Sequence, residues 1–85
     1  MNYIGQVKEF VVDNFLFGEG GRINEDTSFL VSGIIDSTGL LELVGFLEQK
    51  FGIRVEDQEF VPENLDSLKN ISDYLARKIK GEVPT

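Results

Sequence analysis

One hydroxyl stands out where this sequence could do chemistry. The run Gly33-Ile34-Ile35-Asp36-Ser37-Thr38-Gly39-Leu40-Leu41-Glu42-Leu43-Val44 sets an Asp-Ser step directly in front of an amphipathic segment, after an apolar loop. Asp and Ser are favoured where a helix begins, because a side-chain oxygen there can take one of the unpaired backbone N–H groups. A serine at such a mouth reads in two ways. It is a cap and nothing more, or it is a point at which a covalent group can be hung. Other chemistry is scarce. The 85 residues contain no histidine and no cysteine. A Ser-His-Asp set cannot be assembled, and neither a disulfide nor a thiolate metal site is available. Carboxylate pairs remain, but a helical chain of this length has little room for a substrate cleft. The stretch from Glu19 to Asp26 mixes acids and glycines without the alternating oxygen ligands and closing glutamate of a calcium loop, and reads as a solvated loop.

Composition narrows the remaining classes. With 41% hydrophobic residues the chain can build one small core, and domains near this size bury only about 60% of the surface that their unfolded chains expose. A net charge of −7 argues against binding a phosphate backbone or an anionic membrane, and favours partners with basic patches. Lys8, Glu9 and Asp13 interrupt the first segment, so nothing there resembles a signal peptide, and no run approaches a membrane span. The expected location is the cytoplasm and the expected state a monomer.

The elements that must position Ser37 follow from periodicity. Ile4, Val7, Val11 and Phe15 recur at helical spacing from Tyr3 to Phe17, with Phe10, Leu16 and Phe17 broadening the stripe, and Gly18-Glu19-Gly20-Gly21 stopping it. A long connection from Glu19 to Asp36 carries Ile23, Phe29, Leu30, Val31, Ile34 and Ile35, all expected to pack down. A second helix spans Ser37 to Phe51, buried through Leu40, Val44, Leu47 and Phe51 with Leu41 and Leu43 flanking, and ends at Gly52. Ile53-Arg54-Val55 reads as a short extended piece, and Glu56 to Val61 as one helical turn stopped before Pro62. Ser67 caps a last helix whose buried stripe is Leu68, Ile71, Leu75 and Ile79, with Gly81 and Pro84 marking its end. Leu41, Val44, Leu47, Leu68, Ile71 and Leu75 are the expected core. The expected fold is all-α: a four-helix bundle of three long helices and one short, with a long first loop, in a single domain over residues 1–85.

These residues carry a resemblance. Asp36 to Gly52, with Leu-Glu-Leu-Val after the Asp-Ser step and Phe-Gly-Ile at its close, resembles the serine segment and second helix of acyl carrier proteins and peptidyl carrier proteins. Asn64-Leu65-Asp66-Ser67-Leu68 is similar to the family's approach to its final helix, and the likeness extends over nearly the whole chain. It implies that Ser37 bears a 4'-phosphopantetheine arm taken from coenzyme A by a phosphopantetheinyl transferase. The arm's thiol would hold acyl or aminoacyl cargo as a thioester, supplying a sulfur that the chain lacks. The negative phosphodiester would sit where a helix start favours it. The carrier would catalyse nothing itself. Its partners would be that transferase, an acyl or aminoacyl ligase, and a downstream acyltransferase or synthase.

The resemblance also implies roles for neighbours. Asp36 would cap the helix or help place the modifying enzyme, and Thr38 would stand beside the arm. Glu42, Glu48, Glu56 and Asp57, with Leu41, would dock partners. Thr38 replaces the family's usual leucine, Gly39 a polar or acidic residue, and Gln49 and Lys50 stand where fatty-acid carriers tend to be acidic. These departures fit a dedicated carrier for a small pathway, whether aminoacyl, D-alanyl, specialised lipid or polyketide. Phe10, Phe46 and Phe51 would fill the space that shelters an acyl chain in the family, which suits a short or polar cargo. The competing function is an unmodified acidic helical module that binds a partner protein.

Overall fold

A computed structural model describes residues 3–16, 18, 21 and 23–79. The expected places of Phe17, Glu19, Gly20, Gly81 and Pro84 lie outside the described residues. All described elements are helical: α1 (Tyr3–Phe15), α2 (Phe29–Ser32), α3 (Ser37–Phe51), a 3₁₀ turn (Asp57–Glu59), α4 (Pro62–Leu65) and α5 (Leu68–Ile79). The three long helices and the expected bundle are present.

Each helix forms because its apolar residues recur on one side and its ends are closed. In α1, Tyr3, Val7 and Val11 are buried. The helix stops two residues earlier than its periodicity predicts. Leu16 leaves the stripe to enter the core, and the N–H of Gly18, at φ +87°, donates back to the Val12 carbonyl at 3.0 Å. Helix α3 ends as expected, with Gly52 at φ +67° donating to the Glu48 carbonyl. Only glycine takes that left-handed turn without steric cost. Helix α5 is capped as expected by Ser67, whose hydroxyl accepts from the Asn70 N–H at 3.1 Å.

The core is built from Val7, Val11, Phe29, Ile35, Leu43, Leu47, Leu65, Leu68, Ile71 and Leu75, with Tyr3, Leu16, Ile23, Leu40 and Tyr74 completing it. Helix α1 meets α3 through aromatic rings. Phe10 stacks on Phe46 with centroids 4.1 Å apart, and Tyr3 meets Phe51 edge-on at 5.6 Å. Phe10, Phe46 and Phe51 are only half-buried, so they pack as a seam between α1 and α3.

Several expectations need correction. On α3 the buried stripe is Gly39, Leu40, Leu43 and Leu47, while Val44 and Phe51 are half-buried and Leu41 is 62% exposed. Leu40 and Leu47 are common to both faces, so the helix is turned by about half a residue, roughly 50°, towards the side that carries Gly39 and Leu43. Ile79 is exposed and Tyr74 takes its place in the core. Within the long connection, Ile23, Phe29 and Ile35 pack down as expected, but Leu30 and Val31 face solvent. They lie on α2, a single helical turn that presents only Phe29 inward. The turn expected between Glu56 and Val61 is present as the 3₁₀ turn and ends before Pro62, but Pro62 also begins a further short helix, α4. A proline at the first helical position loses no hydrogen bond, since its missing N–H would have had no intrahelical partner.

Two polar clusters hold the loops to α5. The Asp66 carboxylate accepts the Ser28 hydroxyl and the Leu30 N–H, the latter at 2.9 Å, while the Phe29 N–H donates to the Asp66 carbonyl. Asp66 thereby ties α2 to the junction between α4 and α5. The second cluster centres on Glu59 of the 3₁₀ turn. Its carboxylate accepts from Lys78 Nζ at 2.8 and 3.1 Å, from Tyr74 Oη at 3.0 Å and from the Glu56 N–H at 2.9 Å. Burial opposes the charged form of Glu59, but these donors outweigh it and hold the carboxyl below its ordinary value. Burial, then the Glu59 charge, pushes the Tyr74 hydroxyl well above the usual phenol range.

Because the folded-state value of Glu59 is depressed, its contribution to stability is fully present above the unfolded value of 4.5. That contribution is lost as pH falls through the lower folded value. Glu59→Gln should cost about 1–3 kcal/mol at neutral pH, and the gap between variant and parent in denaturant melts should close below pH 4.5. A gap that stays constant down to acid unfolding would refute this assignment.

Candidate functional site

The site begins with the cap of α3. Asp36 is the N-cap in extended backbone, and its Oδ1 accepts from the Gly39 N–H at 2.7 Å. The Leu40 N–H donates to the Asp36 carbonyl at 2.9 Å. Of the two side chains that could cap, aspartate takes the role and serine is left out of it. Ser37 becomes the first residue of the helix, exposed, and among the described residues nothing holds its hydroxyl. The N–H groups of Ser37 and Thr38 also have no partner among the described residues. A nucleophilic or esterified oxygen at Ser37 therefore stands in solvent over free donors at the positive end of a 15-residue helix. These features fit a phosphate ester.

Gly39 explains how the cap is held. A Cβ built there would lie 2.8 Å from Ile35 Cγ2, 3.0 Å from Phe15 Cε1 and 3.4 Å from Asp36 Oδ1. Ile35 is buried, so its methyl has nowhere to go. The absent side chain lets the first turn of α3 settle against α1 and the preceding loop. By propensity alone a glycine inside a helix is only a weakness. The close approach that requires it was not visible without the fold.

The remaining expected residues scatter around this centre. Thr38 and Glu42 are exposed one turn apart on α3. Leu41 lies one turn beyond Ser37 on the same side and is largely exposed. Glu48 is half-buried, and its Oε2 accepts the Val55 N–H at 2.9 Å, fastening the segment after α3. Glu56 and Asp57 are exposed at the 3₁₀ turn, with Arg54 Nε 3.6 Å from Glu56. An open depression of about 350 Å³ lies beside Ser37, lined by Phe15, Gly33, Ile34, Asp36, Thr38 and Glu42. The walls from Phe15 and Ile34 had no sequence signal pointing to a site, because both read as ordinary apolar positions. Among the described residues no cluster of acids could hold a metal ion.

Comparison with known proteins decides the class. The family described as a phosphopantetheine attachment site matches residues 16–75, well over half of the chain. The acyl carrier protein of Petrotoga mobilis is 31% identical over 74 residues, covering 87% of this chain and 84% of that protein. The chain belongs to the acyl carrier protein family. Another member, from Solidesulfovibrio magneticus, is 28% identical over 82 residues, covering 96% of this chain and 100% of that protein. The acyl carrier protein of Brachyspira hyodysenteriae is 29% identical over 76 residues, 87% of this chain and 97% of its own. The chain is thus a carrier protein whose prosthetic group is 4'-phosphopantetheine, and the unmodified helical module is the less favoured reading. Carriers of this family work with enzymes of acyl metabolism.

The two glycines of α3 give opposite predictions. Gly45 is exposed with nothing within 4 Å of a new Cβ, so Gly45→Ala should stabilise the carrier by about 0.5–1 kcal/mol. Gly39→Ala gains the same helix propensity but overpacks, and should destabilise by about 1–3 kcal/mol. Thermal melts of both variants settle the point. A Gly39→Ala protein at least as stable as the parent would show that the cap tolerates a side chain.

Proposed function

We propose that Ser37 is the attachment point, and that residues 1–85 act as one monomeric carrier domain in the cytoplasm. The observation that carries this reading is the exposed hydroxyl of Ser37, spared from capping by Asp36 and placed above the free N–H groups of residues 37 and 38. In the modifying step the Ser37 oxygen attacks the pantetheine-side phosphorus of coenzyme A. The new O–P bond forms as the pyrophosphate bond breaks, adenosine 3',5'-bisphosphate leaves, and the serine proton passes to the transferase. When bound, the group supplies a thiol that carries acyl or aminoacyl cargo. The chain, which has no histidine or cysteine, contributes position and charge while partner enzymes supply catalysis: a phosphopantetheinyl transferase, a loading ligase, and an acyltransferase or synthase. The absence of cysteine suits a reducing compartment, and no helix among the described residues is long and apolar enough to cross a membrane.

Docking on this reading uses the exposed side of α3 and the 3₁₀ turn. Glu42, Glu56 and Asp57 are exposed to a basic patch, and Leu41 offers an apolar contact beside Ser37. Glu48 serves mainly to hold Val55. The departures at Thr38, Gly39, Gln49 and Lys50 suit a dedicated pathway with its own ligase.

Incubation with coenzyme A and a broad-specificity transferase should add one arm to the parent by intact mass and none to Ser37→Ala. That substitution removes no hydrogen bond made among the described residues, so its stability should stay within about 0.5 kcal/mol of the parent. A parent that remains at its apo mass with every transferase tried would overturn the assignment. Partner affinity gives a second check. Raising ionic strength from about 0.1 M to 1 M shortens the screening length from about 10 Å to 3 Å, and should weaken binding to the loading ligase. An affinity indifferent to salt would instead assign docking to Thr38 and Leu41.

A further inference from the structure

The depression beside Ser37 has a location, a lining and a size that together specify an occupant. It is bordered by Asp36 and Thr38, the two chain neighbours of Ser37, so anything tethered to that serine starts at its rim. Its lining divides chemically. Phe15 from the end of α1 and Ile34 from the segment before α3 supply apolar surface, while Thr38 and Glu42 supply a hydroxyl and a carboxylate from successive turns of α3. Residues four apart share a helix face, so these two acceptors line one edge, one position around from the side that carries Ser37 and Leu41. Gly33 sits at φ +78°, the left-handed turn that swings the chain out of α2 and sets Ile34 at the groove.

We propose that this depression is the resting cradle of the pantetheine arm, and that it takes the arm without the cargo. The inference rests on the reading of Ser37 given above. An arm of this kind is itself divided: geminal methyls near the phosphate, then two amide N–H groups, then a thiol. The methyls match Phe15 and Ile34, and the amide donors match the Thr38 hydroxyl and the Glu42 carboxylate. The phosphodiester does not enter the groove. It stays above the free N–H groups of Ser37 and Thr38, while the Asp36 Oδ1 beside it is already occupied by the Gly39 N–H. A volume of about 350 Å³ is near the lower end of the 300–1,000 Å³ range of small-molecule sites. It accommodates a slender arm with little room for an acyl or aminoacyl group beyond the thiol. Because the groove is open along its length, the thiol end remains within reach of a partner enzyme. Arm and cargo are thereby separated: the core of tightly buried side chains stays closed, and the cargo stays in solvent.

The experiment is NMR on isotopically labelled holo-carrier made with unlabelled coenzyme A, its conversion verified by intact mass. The cradle predicts nuclear Overhauser contacts from the arm's geminal methyls to the Phe15 ring and the Ile34 methyls. It also predicts amide shifts at Ile34, Thr38 and Glu42 on going from apo to holo. In holo Ile34→Ser the contacts and the Glu42 shift should be lost although the mass gain is unchanged. Holo Glu42→Leu, a change at an exposed position, should lose the shift at position 42, while the shift at Thr38, next to the attachment point, persists. Full mass gain with shifts confined to residues 36–38 and no contact to Phe15 or Ile34 overturns the cradle while leaving Ser37 as the attachment point. No mass gain at all overturns the attachment reading itself, and the cradle with it.

Discussion

The contact on which the site depends is the hydrogen bond from the Gly39 N–H to the Asp36 carboxylate, made possible by a missing side chain. At 2.7 Å it is a charge-assisted cap. It commits aspartate to the helix end and leaves the adjacent serine outside the bonding pattern. The same glycine lets the first turn of α3 press against Ile35 and Phe15. That contact goes with a partial turn of the helix towards Gly39 and Leu43. Leu43 and Leu47 go inward, and Leu41 goes out to the side of Ser37. One local bond therefore sets the exposure of the Ser37 oxygen, the outward face of α3 and the direction from which α1 supports both.

The rest of the molecule keeps that arrangement in place. The long connection before α3 would be costly to order on its own, and it is pinned at two ends. Phe29 and Ile35 are buried in the core, and Asp66 receives the Ser28 hydroxyl and the Leu30 N–H. On the other side of α3, Glu48 holds Val55 and Glu59 holds the 3₁₀ turn to α5. Acidic residues thus divide into two groups. Asp66, Glu48 and Glu59 are spent on structure, while Glu42, Glu56 and Asp57 remain at the surface. A net charge of −7 does not distinguish them. Hydrogen-bond partners do.

Much of the fold was legible in the chain. Helical spacing placed three long helices, Gly52 placed the end of α3, and the Asp-Ser step located the start of α3 to the residue. What escaped was any feature set by a neighbour distant in sequence. Helix α2 is too short for periodicity to reveal, and is closed instead by Ser28 and Asp66, 38 positions apart. The rotation of α3 escaped because Val44 and Leu43 are equally apolar, and only the packing at Gly39 chooses between them. Pro62 was read as a stop because a proline breaks a helix from within. At a helix start the same ring is compatible, and which case applies depends on where the preceding turn ends.

Residue types and short-range spacing were enough to establish a small acidic helical domain with one candidate hydroxyl, because helix periodicity, capping preference and the lack of histidine and cysteine act locally or by composition; the carrier role entered through the resemblance of Asp36 to Gly52 to a known family. Tertiary structure alone decided which of two adjacent oxygens is bonded and which is free, which carboxylates are available, and that a groove opens beside Ser37. Those outcomes depend on how closely α1, the first connection and α3 approach one another. That distance is set by packing across the core, and no stretch of contiguous sequence encodes it.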